Sequence, residues 1–129
     1  MPNRRQFLFA AAAALALPSL AAAAGMQRYA NVNFEEALAS GAPVVAHIDA
    51  DWCPTCRAQR PILTKLLQDG RFAAFRAFQI DYDTEKKAMR ALNAPDRSTI
   101  IVFRSGREVA RSVADTKEAA IAALLDRAL

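Results

Sequence analysis

Cysteine, histidine and tryptophan are scarce in this chain: 129 residues hold two Cys, one His and one Trp. Two cysteines leave no room for a framework of several disulfides. Two cysteines and one histidine also fall short of the four ligands of a structural zinc site. No basic stripe with interleaved aromatic residues runs along the chain, so nothing points to nucleic acid. The net charge of +4 is weak evidence for a polyanionic partner, because Arg4 and Arg5 lie in a segment expected to be removed, which leaves +2. Repeats, linkers and low-complexity runs are missing after residue 24. The length accommodates one domain.

What is present begins with a leader. Arg4 and Arg5 precede an apolar, Ala-dominated stretch over residues 7–24 that ends in Ala22-Ala23-Ala24-Gly25. A basic end, an apolar middle and a small-residue cleavage site describe a secretory signal peptide. Arg4-Arg5-Gln6-Phe7-Leu8 is similar to the bacterial twin-arginine signal. With no Cys near the cleavage region, a lipoprotein anchor is excluded. The expectation is a signal peptide over residues 1–24, a single domain over residues 25–129, and a periplasmic location, with a membrane-anchored form if the leader is retained.

Both cysteines and the tryptophan stand together in Asp51-Trp52-Cys53-Pro54-Thr55-Cys56-Arg57. The apolar run Val44-Val45-Ala46-His47-Ile48 before them reads as a buried strand, and Leu63, Leu66 and Leu67 after them keep helical spacing. Cys53 is therefore placed at the mouth of a helix, with Pro54 at a first position where its missing N–H costs nothing. Unpaired N–H groups and the helix dipole favour a thiolate there. Cys56 follows about one turn later, within reach for a disulfide. An activated sulfur with a second beside it is the equipment of thiol–disulfide exchange.

The remaining elements follow from periodicity and punctuation. Residues 26–29 predict a short strand, and Asn33 caps a helix over residues 34–40 that Gly41 ends. The strand at 44–49 leads to a helix from Cys53 to about Asp69, kinked at Pro61. Residues 75–82 form a strand, and Thr84–Leu92 a helix capped by Asp83. The break at Asn93-Ala94-Pro95-Asp96 precedes a strand over Thr99–Phe103, which turns at residues 104–107 into Glu108–Val113. Asp115 and Glu118 have capping-box spacing ahead of a last helix that reaches Leu129, with Ile121, Leu124 and Leu125 inward. The order is β-α-β-α-β-α-β-β-α.

Trp52-Cys53-Pro54-Thr55-Cys56 resembles the Trp-Cys-Gly-Pro-Cys of the thioredoxin family. Pro61-Ile62-Leu63, Ile80-Asp81, the run Thr99–Phe103 followed by Gly106, and Leu125-Asp126 with Leu129 fall at that family's spacings. The resemblance covers nearly all of the chain after the leader. It implies an α/β thioredoxin fold, a central mixed β-sheet flanked by helices. It also implies protein thiols and disulfides as substrates and an electron donor or acceptor outside the chain. A monomer with no cofactor or metal is expected. Four positions depart from the family. Ser98 stands where the family has a cis-proline, His47 where it has a buried Asp, Ala77 where it has Lys, and Ala114 where it has Gly.

The function expected is exported thiol–disulfide exchange, reducing rather than oxidising. Cys53 attacks, Cys56 resolves, and His47 helps to deprotonate Cys56. Trp52, Pro54, Arg97 and Ser98 shape the substrate surface. Ser98→Pro is expected to raise the pKa of Cys53, because it removes donors facing the sulfur. Two rival readings are a copper(I)-handling protein using Cys53, Cys56 and His47, and a binding module whose redox activity is vestigial.

Overall fold

The apolar runs at 44–49 and 99–104 become the central strands of a five-stranded sheet. A computed structural model describes residues 25–129; the expected leader over residues 1–24 lies outside them. In chain order the elements are β1 (Met26–Arg28), α1 (Asn31–Ala39), β2 (Val44–Asp49), α2 (Pro54–Gln68), β3 (Arg76–Asp81), α3 (Lys86–Ala91), β4 (Thr99–Arg104), β5 (Arg107–Val113) and α4 (Glu118–Asp126), with a short 3₁₀ turn at Gly70–Phe72 between α2 and β3. Across the sheet the strands run β1-β3-β2-β4-β5. β3 is parallel to both β1 and β2, while β4 is antiparallel to β2 and β5. The sheet is mixed, as expected.

Every residue of β2 is buried, because helices cover both faces of the sheet. Val44, Ala46 and Ile48 point to one face. They pack with Phe78, Ile80, Ile101 and Phe103 under Phe34 and Ala37 of α1 and Met89 of α3. Val45 points to the other face, with Ile100 and Val102 under Leu63, Leu66 and Leu67 of α2 and Ile121 and Leu125 of α4. Strand alternation thus splits the core in two and sends His47 and Asp49 toward α2.

Three helix starts differ from their expected caps. α1 begins at Asn31 and has Ala30 at its cap, with no side-chain bond; Asn33 lies within the helix. α3 begins at Lys86 and not at Thr84. The Asp81 carboxylate accepts from the N–H groups of Asp83 and Thr84 at 2.8 and 3.0 Å. That local bonding holds residues 81–84 as a turn in competition with a helix. Asp83 is left free to bond elsewhere. α4 begins at Glu118 with Lys117 at its cap, so no capping box forms from Asp115. Pro61 is accommodated inside α2, which continues to Gln68. Leu124 is half-buried, unlike Ile121 and Leu125.

Candidate active site

The central strand β2 ends at Asp49, and the loop Ala50-Asp51-Trp52 turns the chain from its C-terminal end into α2. Cys53 is the cap of that helix. Its backbone is extended, and its sulfur accepts a hydrogen bond from the N–H of Cys56 at 3.3 Å. Pro54 opens the helix, as its fixed φ favours. The helix turn then brings Cys56 back beneath Cys53. Both cysteines are free thiols and buried, Cys53 at 2% exposure.

One hydroxyl serves both sulfurs. Ser98 Oγ lies 3.1 Å from Cys56 Sγ and 3.3 Å from Cys53 Sγ. Ser98 is itself held on three sides. Its N–H donates to the Ile48 carbonyl at 2.8 Å, and its own carbonyl accepts from the N–H of Ala114 and from Gln59 Nε2, each at 3.0 Å. Its φ is +61°, and that of Ala114 is +64°. Both lie in the left-handed region, which costs roughly 1–2 kcal/mol for an ordinary L-residue and persists only where surrounding contacts impose it. No cis peptide bond occurs among the described residues, so Arg97–Ser98 is trans. A proline, locked near −65°, cannot keep this backbone. Ser98→Pro therefore perturbs the fold before it reports on the sulfur, which revises the expectation for that substitution.

Burial pushes the Cys53 thiol up, but hydrogen bonding with the Cys56 thiol, the Ser98 hydroxyl and the Cys56 N–H, together with nearby Arg97, outweighs it. The result lies at about 7, against an ordinary 9.0. Burial and the bond to Cys53 push Cys56 the opposite way, upward. The two sulfurs are thereby split into an ionisable one and a protonated one.

His47 is fully buried, and burial lowers its proton affinity. Its Nε2 lies 2.8 Å from Gln59 Oε1, and neither sulfur is among its hydrogen-bond partners. Its Nδ1 bonds to nothing. His47 makes no direct hydrogen bond to Cys56; its ring bonds to Gln59. The set Cys53, Cys56 and His47 does not converge, and among the described residues no three His, Cys, Asp or Glu side chains are placed to hold a metal ion. Beside His47, buried Asp49 lies 3.1 Å from Arg60 and accepts from Gln79. Gln59 was not singled out in the sequence. The available signal was its place, as the one amide, in the buried stripe Cys56, Gln59, Leu63, Leu66 and Leu67 of α2.

Beside the sulfurs, reached through Ser98, lies a groove of about 240 Å³ lined by Thr55, Tyr82, Asp96, Arg97, Ser98, Val113 and Ala114. Trp52, half-exposed, packs against two of the lining residues, Arg97 and Tyr82. The indole N–H donates to Asp83 at 2.9 Å, the Arg97 guanidinium covers the ring at 4.9 Å, and Tyr82 meets it edge-on. Arg97 and Ser98 thus border the cysteines together with Trp52 and the exposed Pro54.

Two thiols at the mouth of a helix, split in acidity and sharing the Ser98 hydroxyl, define a protein thiol–disulfide oxidoreductase. The chain belongs to the thioredoxin family, whose profile matches residues 25–127. It is 30% identical to a thioredoxin of Chlamydia muridarum over 81 residues, 63% of this chain and 76% of that protein. It is 38% identical over 64 residues to the thiol:disulfide interchange protein DsbE of Yersinia pestis, covering 48% of this chain and 32% of that one. Among solved structures, Trxlp from Edwardsiella tarda superposes with a TM-score of 0.77 at 37% identity, covering 78% of this chain and 98% of that one.

Proposed function

We propose that this chain is an exported oxidoreductase that reduces protein disulfides, with Cys53 as nucleophile and Cys56 as resolving thiol. The observation that carries the assignment is the place of Cys53 as the cap of α2, its sulfur accepting from the Cys56 N–H and facing the Ser98 hydroxyl, with Cys56 one turn behind it; the two thiols are accordingly displaced in opposite directions, Cys53 down and Cys56 up. The Cys53 thiolate attacks one sulfur of a substrate disulfide. That bond breaks, a Cys53–substrate disulfide forms, and the departing thiolate takes the proton that Cys56 gives up. The Cys56 thiolate then attacks Cys53 Sγ, closes the Cys53–Cys56 disulfide and expels the second substrate thiolate, which is protonated by water. Two electrons pass from the pair to the substrate. The Ser98 hydroxyl can donate to whichever sulfur carries the charge. Trp52, Pro54, Arg97 and Ser98 form the surface on which the substrate polypeptide rests.

The direction rests on acidity. Activated cysteines span about 3.5 to 7.5, and the strongly oxidising ones lie at the acidic end because their reduced form is the stabilised one. A nucleophile at about 7 sits at the reducing end. Reduction in an oxidising compartment needs an external electron donor, and the chain acts as a monomer in this reading. Export rests on the Arg-Arg leader and its small-residue end.

The test is disulfide reduction of insulin in the presence of dithiothreitol. Cys53→Ser and Cys56→Ser each abolish turnover, and Cys56→Ser, reduced, freed of dithiothreitol and mixed with a disulfide substrate, accumulates a mixed disulfide at Cys53. If Cys56 is the sulfur trapped on substrate, the roles are reversed. An intact N-terminus on protein recovered from the host cytosol overturns export.

A further inference from the structure

Gln59 is the one residue that joins the three segments meeting behind the cysteines. It is fully buried on α2, one turn beyond Cys56. Its Nε2 donates to the carbonyl of Ser98 at 3.0 Å and to that of Asp115 at 2.9 Å. Only an NH₂ group can face two carbonyl oxygens, so the amide orientation is determined and Oε1 must face His47. His47 Nε2 then carries the hydrogen and donates, which leaves Nδ1 bare. The amide spends both donors and its oxygen on three different segments: β2, the loop before β4 and the loop after β5. Those two loops carry the left-handed residues Ser98 and Ala114, bonded to each other at 3.0 Å.

We propose that Gln59 is a positioning residue for disulfide exchange, acting through Ser98: it clamps the Ser98 carbonyl and so holds the Ser98 hydroxyl against both sulfurs. The proposal rests on the reading of Cys53 and Cys56 as the exchanging pair. Gln59 makes no hydrogen bond to either sulfur and moves no proton, since an amide nitrogen is not a base. Ser98 is fixed from one side by Ile48 and from the other by Ala114 and Gln59. Removing the Gln59 donor leaves the strained backbone at residue 98 held by backbone bonds alone. The hydroxyl then leaves the position 3.1 and 3.3 Å from the sulfurs. His47 contributes by orienting the amide, which gives the buried imidazole a place in the site without a hydrogen bond to a cysteine.

The test is a double-mutant cycle read by thiolate ultraviolet absorbance against pH, with Gln59→Met, Ser98→Ala and the pair. Met keeps the volume and loses the donors. If Gln59 acts through Ser98, Gln59→Met lowers the thiolate fraction at pH 7 roughly two- to fivefold, the range for a pKa rise of half to one unit. In the Ser98→Ala background it then adds nothing further. An unaltered titration in folded Gln59→Met, or an equal drop with and without the Ser98 hydroxyl, overturns the proposal. The wild-type protein supplies a second reading by NMR. The Gln59 side-chain amide signals shift with the ionisation of the cysteine, and signals that stay flat through that titration also overturn it. Alkylation mapping reports separately which sulfur ionises. Modification of Cys56 first would remove the nucleophile assignment, while the coupling of Gln59 to Ser98 is still read on whichever sulfur titrates.

Discussion

Deleting the Ser98 hydroxyl should change the pH–rate profile in a way that simple damage cannot imitate. Ser98 is one of four groups that lower Cys53, beside the Cys56 thiol, the Cys56 N–H and Arg97. A hydrogen bond to a charged group contributes about 1.5–3 kcal/mol. At 3.3 Å and shared with Cys56, the low end applies, about 1.5 kcal/mol, which is roughly one pKa unit. Ser98→Ala then moves Cys53 from about 7 to about 8, and the thiolate fraction at pH 7 falls roughly fivefold. Each thiolate becomes about 2.8 times more nucleophilic, because intrinsic reactivity rises with basicity at a slope near 0.45. Disulfide cleavage is therefore about twofold slower than wild type at pH 7 and about 2.5-fold faster at pH 9. The pair also becomes more reducing by about 30 mV at pH 9, where the tenfold loss of thiolate stabilisation is almost fully felt. Ser98→Gly is the control. It removes the same hydroxyl but relaxes the backbone at φ +61°, so a titration shared by Ala and Gly reports on the hydroxyl alone. Stopped-flow cleavage of a model disulfide across pH, with a glutathione redox titration, measures both quantities. Profiles that do not cross, or a Cys53 titration unmoved in both folded variants, refute the reasoning.

His47 predicts a loss of stability in mild acid. Burial lowers its proton affinity, with the Gln59 bond and Asp49 opposing and Arg60 assisting, so the unfolded chain binds a proton that the folded chain does not. Its contribution is present above about pH 6.5 and is lost as pH falls below that value, by up to about 1.4 kcal/mol per pH unit. Urea midpoints between pH 7.5 and 5.5 should show this fall, and His47→Asn should flatten it. Ser98→Pro should lose at least about 3 kcal/mol of stability, because it forbids the backbone at φ +61° and deletes the N–H bond to Ile48. A urea midpoint equal to that of wild type would show that residue 98 is not held as described.

The chemistry was legible because it is local. Cys53, Pro54 and Cys56 lie within one helical turn, and a strand followed by a helix is written in the periodicity of Val44–Ile48 and of Leu63, Leu66 and Leu67. From such local patterns the helix-mouth thiol and the element order follow, while the mixed sheet was implied by the resemblance to the thioredoxin family. Local capping was read less well. Asp81, not Asp83, organises the start of α3, and Asp115 offers its carbonyl to Gln59 instead of capping α4. Asp and Asn side chains have several backbone partners within reach, and which one wins depends on the course of the neighbouring chain.

Residue types and their spacing along the chain therefore determined the redox pair, the helix that activates it and the strands that carry it, since each of these is a property of a few consecutive residues. Only the tertiary structure decided what surrounds the sulfurs. Ser98 reaches Cys53 and Cys56 across 45 and 42 residues, and it does so because the antiparallel pairing of β2 with β4 brings the start of β4 to the end of β2 where α2 begins. His47 turned to Gln59 for the same reason. Strand alternation sent it to the α2 face, but its partner there was chosen by packing: a buried polar group bonds whatever complementary atom the fold places within about 3 Å.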